Sequence, residues 1–241
     1  MAAQNLLSLL SEQITALPAL RPLAELISAV EDEYHPGAPP LSPLTRSYFT
    51  CWALCDAAVG PARETVSTCI LDAASLLRLP EAATPVVRMM AASRMGFYVV
   101  QALQRDGVAL RELITGSTCL AVVPSGYHAR PGELWFARVL PPPFGASRHV
   151  VFTTPYVIRA PSHTVWQAYL ARLAAADDAG SRAARYADIL KYGPMPSFWH
   201  EFLRNAYQGY RTEAIWLEGL PRGEGGAAVR SNWARPRRLP S

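Results

Sequence analysis

From Gly96 to Ile158 the chain alternates short apolar runs with turn-forming residues, and this stretch constrains the fold more than any other. Residues 97–103 (Phe-Tyr-Val-Val-Gln-Ala-Leu) are aromatic and β-branched, and they stop at Arg105-Asp106-Gly107. Asp-Gly between two apolar runs signals a hairpin, because glycine tolerates the backbone angles a tight turn demands. Residues 108–114 and 118–123 supply two further runs, separated by Gly116-Ser117, so the first three runs predict a meander. A loop from Pro124 to Gly132 precedes residues 133–140, and Pro141-Pro142-Pro143-Phe144-Gly145 precedes residues 149–154. Five short strands in this space predict an antiparallel sheet curled into a small barrel, since an open sheet would leave both edges unpaired. The expected class is α+β: a small five-stranded antiparallel β-barrel, residues 96–158, flanked by N-terminal and C-terminal α-helical segments.

The flanks carry helical spacing. Leu6, Leu7, Leu10, Ile14 and Leu17, then Leu23, Leu26, Ile27 and Val30, predict an N-terminal helical hairpin over residues 1–35. The Pro-rich stretch 36–43 is a linker, because proline fixes φ and removes a backbone donor. In the helical segment 44–95, Ser42 or Thr45 caps a helix running through Trp52 to about Ala58. Pro61 then opens a second helix with Val66, Cys69, Ile70, Ala73, Leu76 and Leu77 facing inward, and Pro85 opens a third. After the barrel, residues 159–218 read as helices packing on the body. One starts at Pro161-Ser162 and is ended by Asp177-Asp178-Ala179-Gly180; Ser181 caps the next, and Ser197 caps another.

Charge is distributed unevenly. The net charge of +4 belongs wholly to residues 222–241, where Arg222, Arg230, Arg235, Arg237 and Arg238 face a single acid, Glu224, and the rest of the chain is balanced. Residues 219–241 are therefore a basic flexible tail, rich in Gly, Pro and Arg. Twenty-two of the 23 basic residues are Arg, and only Lys191 is Lys. Heavy Ala and Pro use accompanies this and points to the codon bias of a GC-rich genome. Cys51, Cys55, Cys69 and Cys119 show no paired zinc-type spacing and read as buried reduced thiols. Without a basic leader or an apolar run of membrane length, the expected location is the cytoplasm.

Four segments recur in this order in a group of uncharacterised bacterial proteins. They are residues 48–56 (Tyr-Phe-Thr-Cys-Trp-Ala-Leu-Cys-Asp), 94–100 (Arg-Met-Gly-Phe-Tyr-Val-Val), 108–116 (Val-Ala-Leu-Arg-Glu-Leu-Ile-Thr-Gly) and 130–139 (Arg-Pro-Gly-Glu-Leu-Trp-Phe-Ala-Arg-Val). The chain resembles that group over about residues 45–205, and some members end in a SEC-C zinc motif. No cysteine lies beyond Cys119, so that motif is absent here. The resemblance implies a layout and brings no activity with it.

Candidate chemistry is sparse. Ser125, His128 and Asp106 could be drawn as a hydrolase triad, but no nucleophile-elbow glycines surround Ser125. None of the five histidines stands in a metal-binding frame, and Gly223-Glu224-Gly225-Gly226 lacks the Lys and following helix of a phosphate loop. Neither a cofactor, a metal nor a small-molecule ligand is expected, and the chain reads as non-catalytic. Surfaces are the stronger candidates. Tyr127, His128, Arg130, Trp135, Arg138 and Phe144 gather around the barrel loops, although Trp135 and Ala137 must help fill the barrel. Trp233 among Arg230, Arg235, Arg237 and Arg238 suits an acidic protein groove, or nucleic acid through stacking plus charge. The expected function is a protein-binding adaptor subunit of a larger assembly. Its predicted contacts are Tyr127, His128, Arg130, Phe144, Arg230, Trp233, Arg235, Arg237 and Arg238. A nucleic-acid-binding accessory protein is the alternative, and an uncharacterised enzyme the second alternative.

Overall fold

The computed structural model describes residues 51–58, 61–143, 145–158, 163–173, 175 and 178–192, together with six isolated positions between 18 and 28. The expected helical hairpin (those six positions aside), the Pro-rich linker, Phe144, the helix capped by Ser197 and the basic tail lie outside these residues. Residues 51–55 are helical. There follow α1 (Val66–Asp72), α2 (Ala83–Ala92), β1 (Met95–Gln104), β2 (Gly107–Glu112), β3 (Thr118–Val122), β4 (Leu134–Leu140), β5 (His149–Val151), β6 (Tyr156–Ile158), α3 (His163–Leu173) and α4 (Ala179–Tyr192).

The strands close a barrel in the order β1-β2-β3-β5-β4, with β4 returning to β1. The pairing is mixed, which corrects the antiparallel expectation: β3 and β5 run parallel, Ala121 beside His149 and Val122 beside Val150. Parity requires this. Strand directions must alternate around an antiparallel ring, and five is odd, so one neighbouring pair has to run the same way. β6 extends the path of β5 along the same edge of β4, since Val151 opposes Val139 while Tyr156 opposes Phe136. The two are one strand interrupted at residues 152–155.

β1 is long because it serves both halves of the barrel. Met95 to Val99 pair with β4, Tyr98 to Gln104 pair with β2, and a bulge between Val100 and Ala102 turns the strand between the two. The predicted hairpin forms with Gln104 opposite Gly107. Gly107 is required by proximity: a Cβ there would lie 2.6 Å from the carbonyl oxygen of Ala121 on β3. Backbone cannot yield as a side-chain tip would, so Gly107→Ala should destabilise the protein by about 1–3 kcal/mol, measured as a lowered urea midpoint at unchanged slope. A midpoint equal to that of the parent protein would refute the close approach.

Alternation sorts the side chains into two cores. Val100, Val108, Leu110, Ala121, Trp135, Ala137 and Val151 fill the barrel, with Ala129 from the β3–β4 loop. Trp135 and Ala137 thus stand inside, as anticipated. The opposite faces of β1 and β4 point at helices, so β4 is buried on both sides. Phe97 packs on Phe136 with ring centroids 4.8 Å apart and stacks on Trp166 of α3 at 5.1 Å. A second core joins residues 51–55 to α1 and α2 through Cys51, Leu54, Cys55, Val66, Ile70, Leu77, Val87 and Met90. Helices therefore cover the β1–β4 flank.

Local chemistry shifts some predicted boundaries. The helix expected from Pro61 starts at Val66, where Thr65 and Thr68 cap each other's backbone N–H groups, and it ends at Asp72. Leu76 lies beyond that end, 54% exposed instead of facing the core. For α4 the capping residue is Asp178 and not Ser181: its carboxylate accepts from the Ser181 N–H at 2.8 Å and from the Ser181 hydroxyl at 2.5 Å. A carboxylate is both acceptor and charge at the positive end of a helix, and these bonds hold its pKa below the usual value.

Candidate functional site

Three polar knots contain most of the buried polar and charged side chains of the described residues. The first is fully buried at the junction of barrel and helices. Asp56, just after the helical turn of residues 51–55, is paired with Arg138 of β4, whose Nη1 also donates to the Ser93 hydroxyl at 2.7 Å. Ser93 caps the end of α2 and in turn donates to the Met90 carbonyl at 2.6 Å. Lys191 of α4 donates to the carbonyls of Cys55 at 2.6 Å and Ser93 at 2.7 Å, with Asp56 Oδ1 at 3.5 Å. Three acceptors match the three N–H bonds of an ammonium; a neutral amine offers only two. Burial pulls the Lys191 pKa down, opposed by Asp56, and burial pushes the Asp56 carboxyl up, opposed by Arg138 and Lys191. The arrangement is an anion shared by two cations, and the interrupted strand completes it. The Arg138 N–H donates to Thr153 Oγ1 at 3.0 Å, and its carbonyl accepts from the Phe152 N–H at 2.8 Å.

The second knot closes one end of the barrel. Arg94 Nη1 lies 2.6 Å from Glu112 Oε1, and the Thr115 hydroxyl donates to the other carboxylate oxygen. Gly116, at φ 71°, then returns its N–H to the Glu112 carbonyl at 3.1 Å. Arg94 also sits over the Tyr186 ring at 4.9 Å, and Tyr186 Oη accepts from the Phe97 N–H at 3.3 Å. Burial and the Glu112 charge push the Tyr186 phenol well up, so it stays protonated.

The third knot organises the β3–β4 loop. Glu133 accepts from the Tyr127 hydroxyl at 3.1 Å, the Arg130 N–H at 3.1 Å and the Trp135 indole N–H at 3.0 Å. Tyr127 also meets Trp135 edge-on at 5.7 Å. One carboxylate thus ties the loop stretch 127–133 to the tryptophan that fills the barrel.

The predicted contact residues divide accordingly. His128 and Arg130 are exposed, and Tyr127 is half-buried with its ring committed to the barrel core. Phe144, Arg230, Trp233, Arg235, Arg237 and Arg238 lie outside the described residues. Arg138, expected near the barrel loops, is buried completely, because its position on β4 faces the helix layer. Ser125, His128 and Asp106 share no hydrogen bond; Asp106 instead pairs with Arg148 at 2.8 Å, tying the β1–β2 turn to the β4–β5 loop. Burial pushes the Cys51 thiol up to about 12 and raises Cys55, which accepts from the Ser67 hydroxyl at 3.2 Å. Both are poor nucleophiles. No group of three or more His, Cys, Asp or Glu gathers to hold a metal among the described residues. A shallow, nearly apolar groove between α2 and the β4–β5 loop is lined by Pro85, Arg88, Met89, Ala92, Ser93 and Pro141.

Sequence reasoning missed Asp56 and Lys191, and left Glu112 unexplained. A signal existed in each case: an acid closing an apolar helical turn, the one lysine in an arginine-rich chain, and an acid three residues before Thr-Gly.

Comparison with family models, with curated proteins and with solved structures finds no match. Among the described residues, no helix is long and apolar enough to cross a membrane.

Proposed function

We propose that the chain is a non-catalytic adaptor subunit that binds a protein partner on the barrel flank that the described helices leave uncovered. The observation carrying this reading is the chemistry of that flank. Val108, Leu110 and Ala121 point into the barrel, so Ala109, Arg111, Leu120 and Val122 point out, with Ala102 and Val150 beside them on neighbouring strands. These side chains are partly exposed, mainly small and apolar, and include no aromatic ring. Such a surface suits apolar contact with a folded protein, with the exposed His128 and Arg130 as polar contacts on the β3–β4 loop.

The alternative is nucleic-acid binding. It draws on the connectivity, since five-stranded Greek-key barrels commonly bind oligonucleotides or oligosaccharides on the β2–β3 face and the adjoining β1–β2 and β4–β5 loops. Fold alone does not assign function. Stacking platforms for single strands use exposed aromatic rings and a basic groove, and the outward side chains of β2 and β3 provide Arg111 without a ring. Any strong charge contribution would come from residues 222–241. The resemblance to the uncharacterised bacterial group fits either role. The acids and arginines of the quoted motifs (Asp56, Arg94, Glu112, Glu133, Arg138) take part in the three knots, which supports reading the resemblance as one of scaffold.

The test pairs two measurements on the full chain. Leu120→Glu with Val122→Glu should keep the fold, read by tryptophan fluorescence, yet lose a stoichiometric partner that the parent protein retains through a high-salt wash. Retention of that partner by the variant would reject the flank as the contact. Salt-steep oligonucleotide binding that falls on deleting residues 222–241, with no protein partner recovered, would transfer the assignment to nucleic acid.

A further inference from the structure

Lys191 is the only lysine among 241 residues, so every other cationic side chain is a guanidinium or an imidazole. Acyl donors such as thioesters, acyl phosphates and activated esters react with neutral amines and not with guanidinium. Side-chain amine chemistry on this protein therefore converges on one atom, and the fold hides that atom. Lys191 is 8% exposed, and three acceptors of its Nζ, on Cys55, Asp56 and Ser93, belong to elements other than its own helix.

We propose that the Lys191 ε-amine is a conditional modification site, closed to lysine-directed acylation while α4 is docked and opened when that helix lifts from the barrel.

α4 is built for such a role. Of its described side chains only Tyr186, Leu190 and Lys191 are buried, whereas Ser181, Arg182, Ala184, Arg185 and Asp188 are exposed. Among the described residues its attachments are the buried Tyr186 and Leu190 side chains, the Tyr186 hydroxyl on the Phe97 N–H, the Tyr186 ring under Arg94, the Lys191 bonds, and an exposed Arg63–Asp188 pair at 3.2 Å. The barrel, in contrast, is held by a continuous ladder and its own apolar core. Elements with little apolar burial open at lower free energy than the whole molecule unfolds. Once α4 lifts, Lys191 loses these three acceptors together and a proton can leave to water. The amine then attacks the acyl carbonyl, the N–C bond forms, the C–O or C–S bond of the donor breaks, and alcohol, phosphate or thiol departs. The resulting amide nitrogen carries no charge and cannot return to its place beside Asp56, so modification would trap α4 undocked.

The test labels the full-length protein carrying Arg105→Lys, which adds an exposed reference amine at the β1–β2 turn, with a water-soluble N-hydroxysuccinimide acetate. Peptide mass spectrometry reads both sites. Lys191 should react about a hundredfold more slowly than the reference, as expected for an amine that reacts only through local opening. Adding Tyr186→Ala should raise the Lys191 rate at least about tenfold, the share of an opening free energy that one such contact holds, while the reference rate and the exchange protection of β2 and β4 amides stay fixed. Because Tyr186→Ala could unfold the chain, the Arg105→Lys protein is also labelled in low urea. There the Lys191 rate should rise with a clearly smaller slope than global unfolding. Labelling of Lys191 within about threefold of the reference, a spread that local reactivity alone produces among exposed amines, would overturn the proposal. So would a urea slope equal to that of global unfolding.

Discussion

Asp56→Ala is expected to lower the stability of the protein by about 3–5 kcal/mol, the effect of removing one partner from a buried charge pair. Arg138 and Lys191 would then remain buried with no anion between them. A domain of this size has about 5–15 kcal/mol in total, so the variant should unfold at a much lower urea concentration or accumulate as aggregate. The same reasoning predicts its remedy. Removing all three charges together, Asp56→Leu with Arg138→Met and Lys191→Met, should recover most of the loss, because a buried ion cluster replaced by apolar groups of similar volume is often neutral or stabilising. The Arg138 Nε–H has no acceptor among the described residues, which favours that recovery. Urea unfolding followed by tryptophan fluorescence measures both proteins. An Asp56→Ala variant as stable as its parent would show that the cluster does not hold helices to barrel.

Trp135→Ala should cost about 3–5 kcal/mol, the range for emptying a large aromatic site in a packed core. Trp135 is wholly buried at the centre of the barrel, and the cavity left there is lined by β-sheet that cannot collapse inward without breaking its ladder. The effect should reach the surface as well. Tyr127 rests on the Trp135 ring and both donate to Glu133, so the β3–β4 loop loses two of its anchors with one substitution. Hydrogen exchange should show faster amides at Tyr127 and Arg130 than in a Leu110→Ala control of comparable stability, which empties the same core without touching Glu133. Equal rates in the two variants would mean that Glu133 does not transmit the change. A stability loss below about 1 kcal/mol, the scale of a surface change, would mean that the barrel is not closed around Trp135.

The two sites explain why polar residues of this chain were hard to assign from sequence. Asp56 and Arg138 are 82 positions apart, and Asp56 and Lys191 are 135 apart. Charge in a sequence is ordinarily read as surface, and whether it is buried depends on which face of which strand a distant segment covers. Arg138 illustrates this. Alternation along β4 puts it opposite Trp135 and Ala137, which correctly implies that it points away from the barrel interior, but only the helix layer on that flank makes it a core residue. The histidine and arginine of the 124–132 loop were legible as exposed, while the half-burial of Tyr127 was not, because its anchoring acid, Glu133, stands just before the following strand.

Local chemistry was sufficient for the strand segments and for the existence of the described helices. Alternating apolar runs, the Asp106-Gly107 turn, the break at Gly116 and the Pro-rich β4–β5 loop specify five strand segments through contacts within a few residues, and the apolar spacing places the described flanking helices, whose caps fall at Thr65 and Asp178 instead of the expected Pro61 and Ser181. How the ring closes was decided only by the tertiary structure: β3 and β5 are the pair the odd ring leaves parallel, residues 152–155 split the last strand, and the covered flank turns Arg138 inward. Short-range propensity is written in neighbouring residues, whereas closure and burial depend on segments that meet only after the chain has folded.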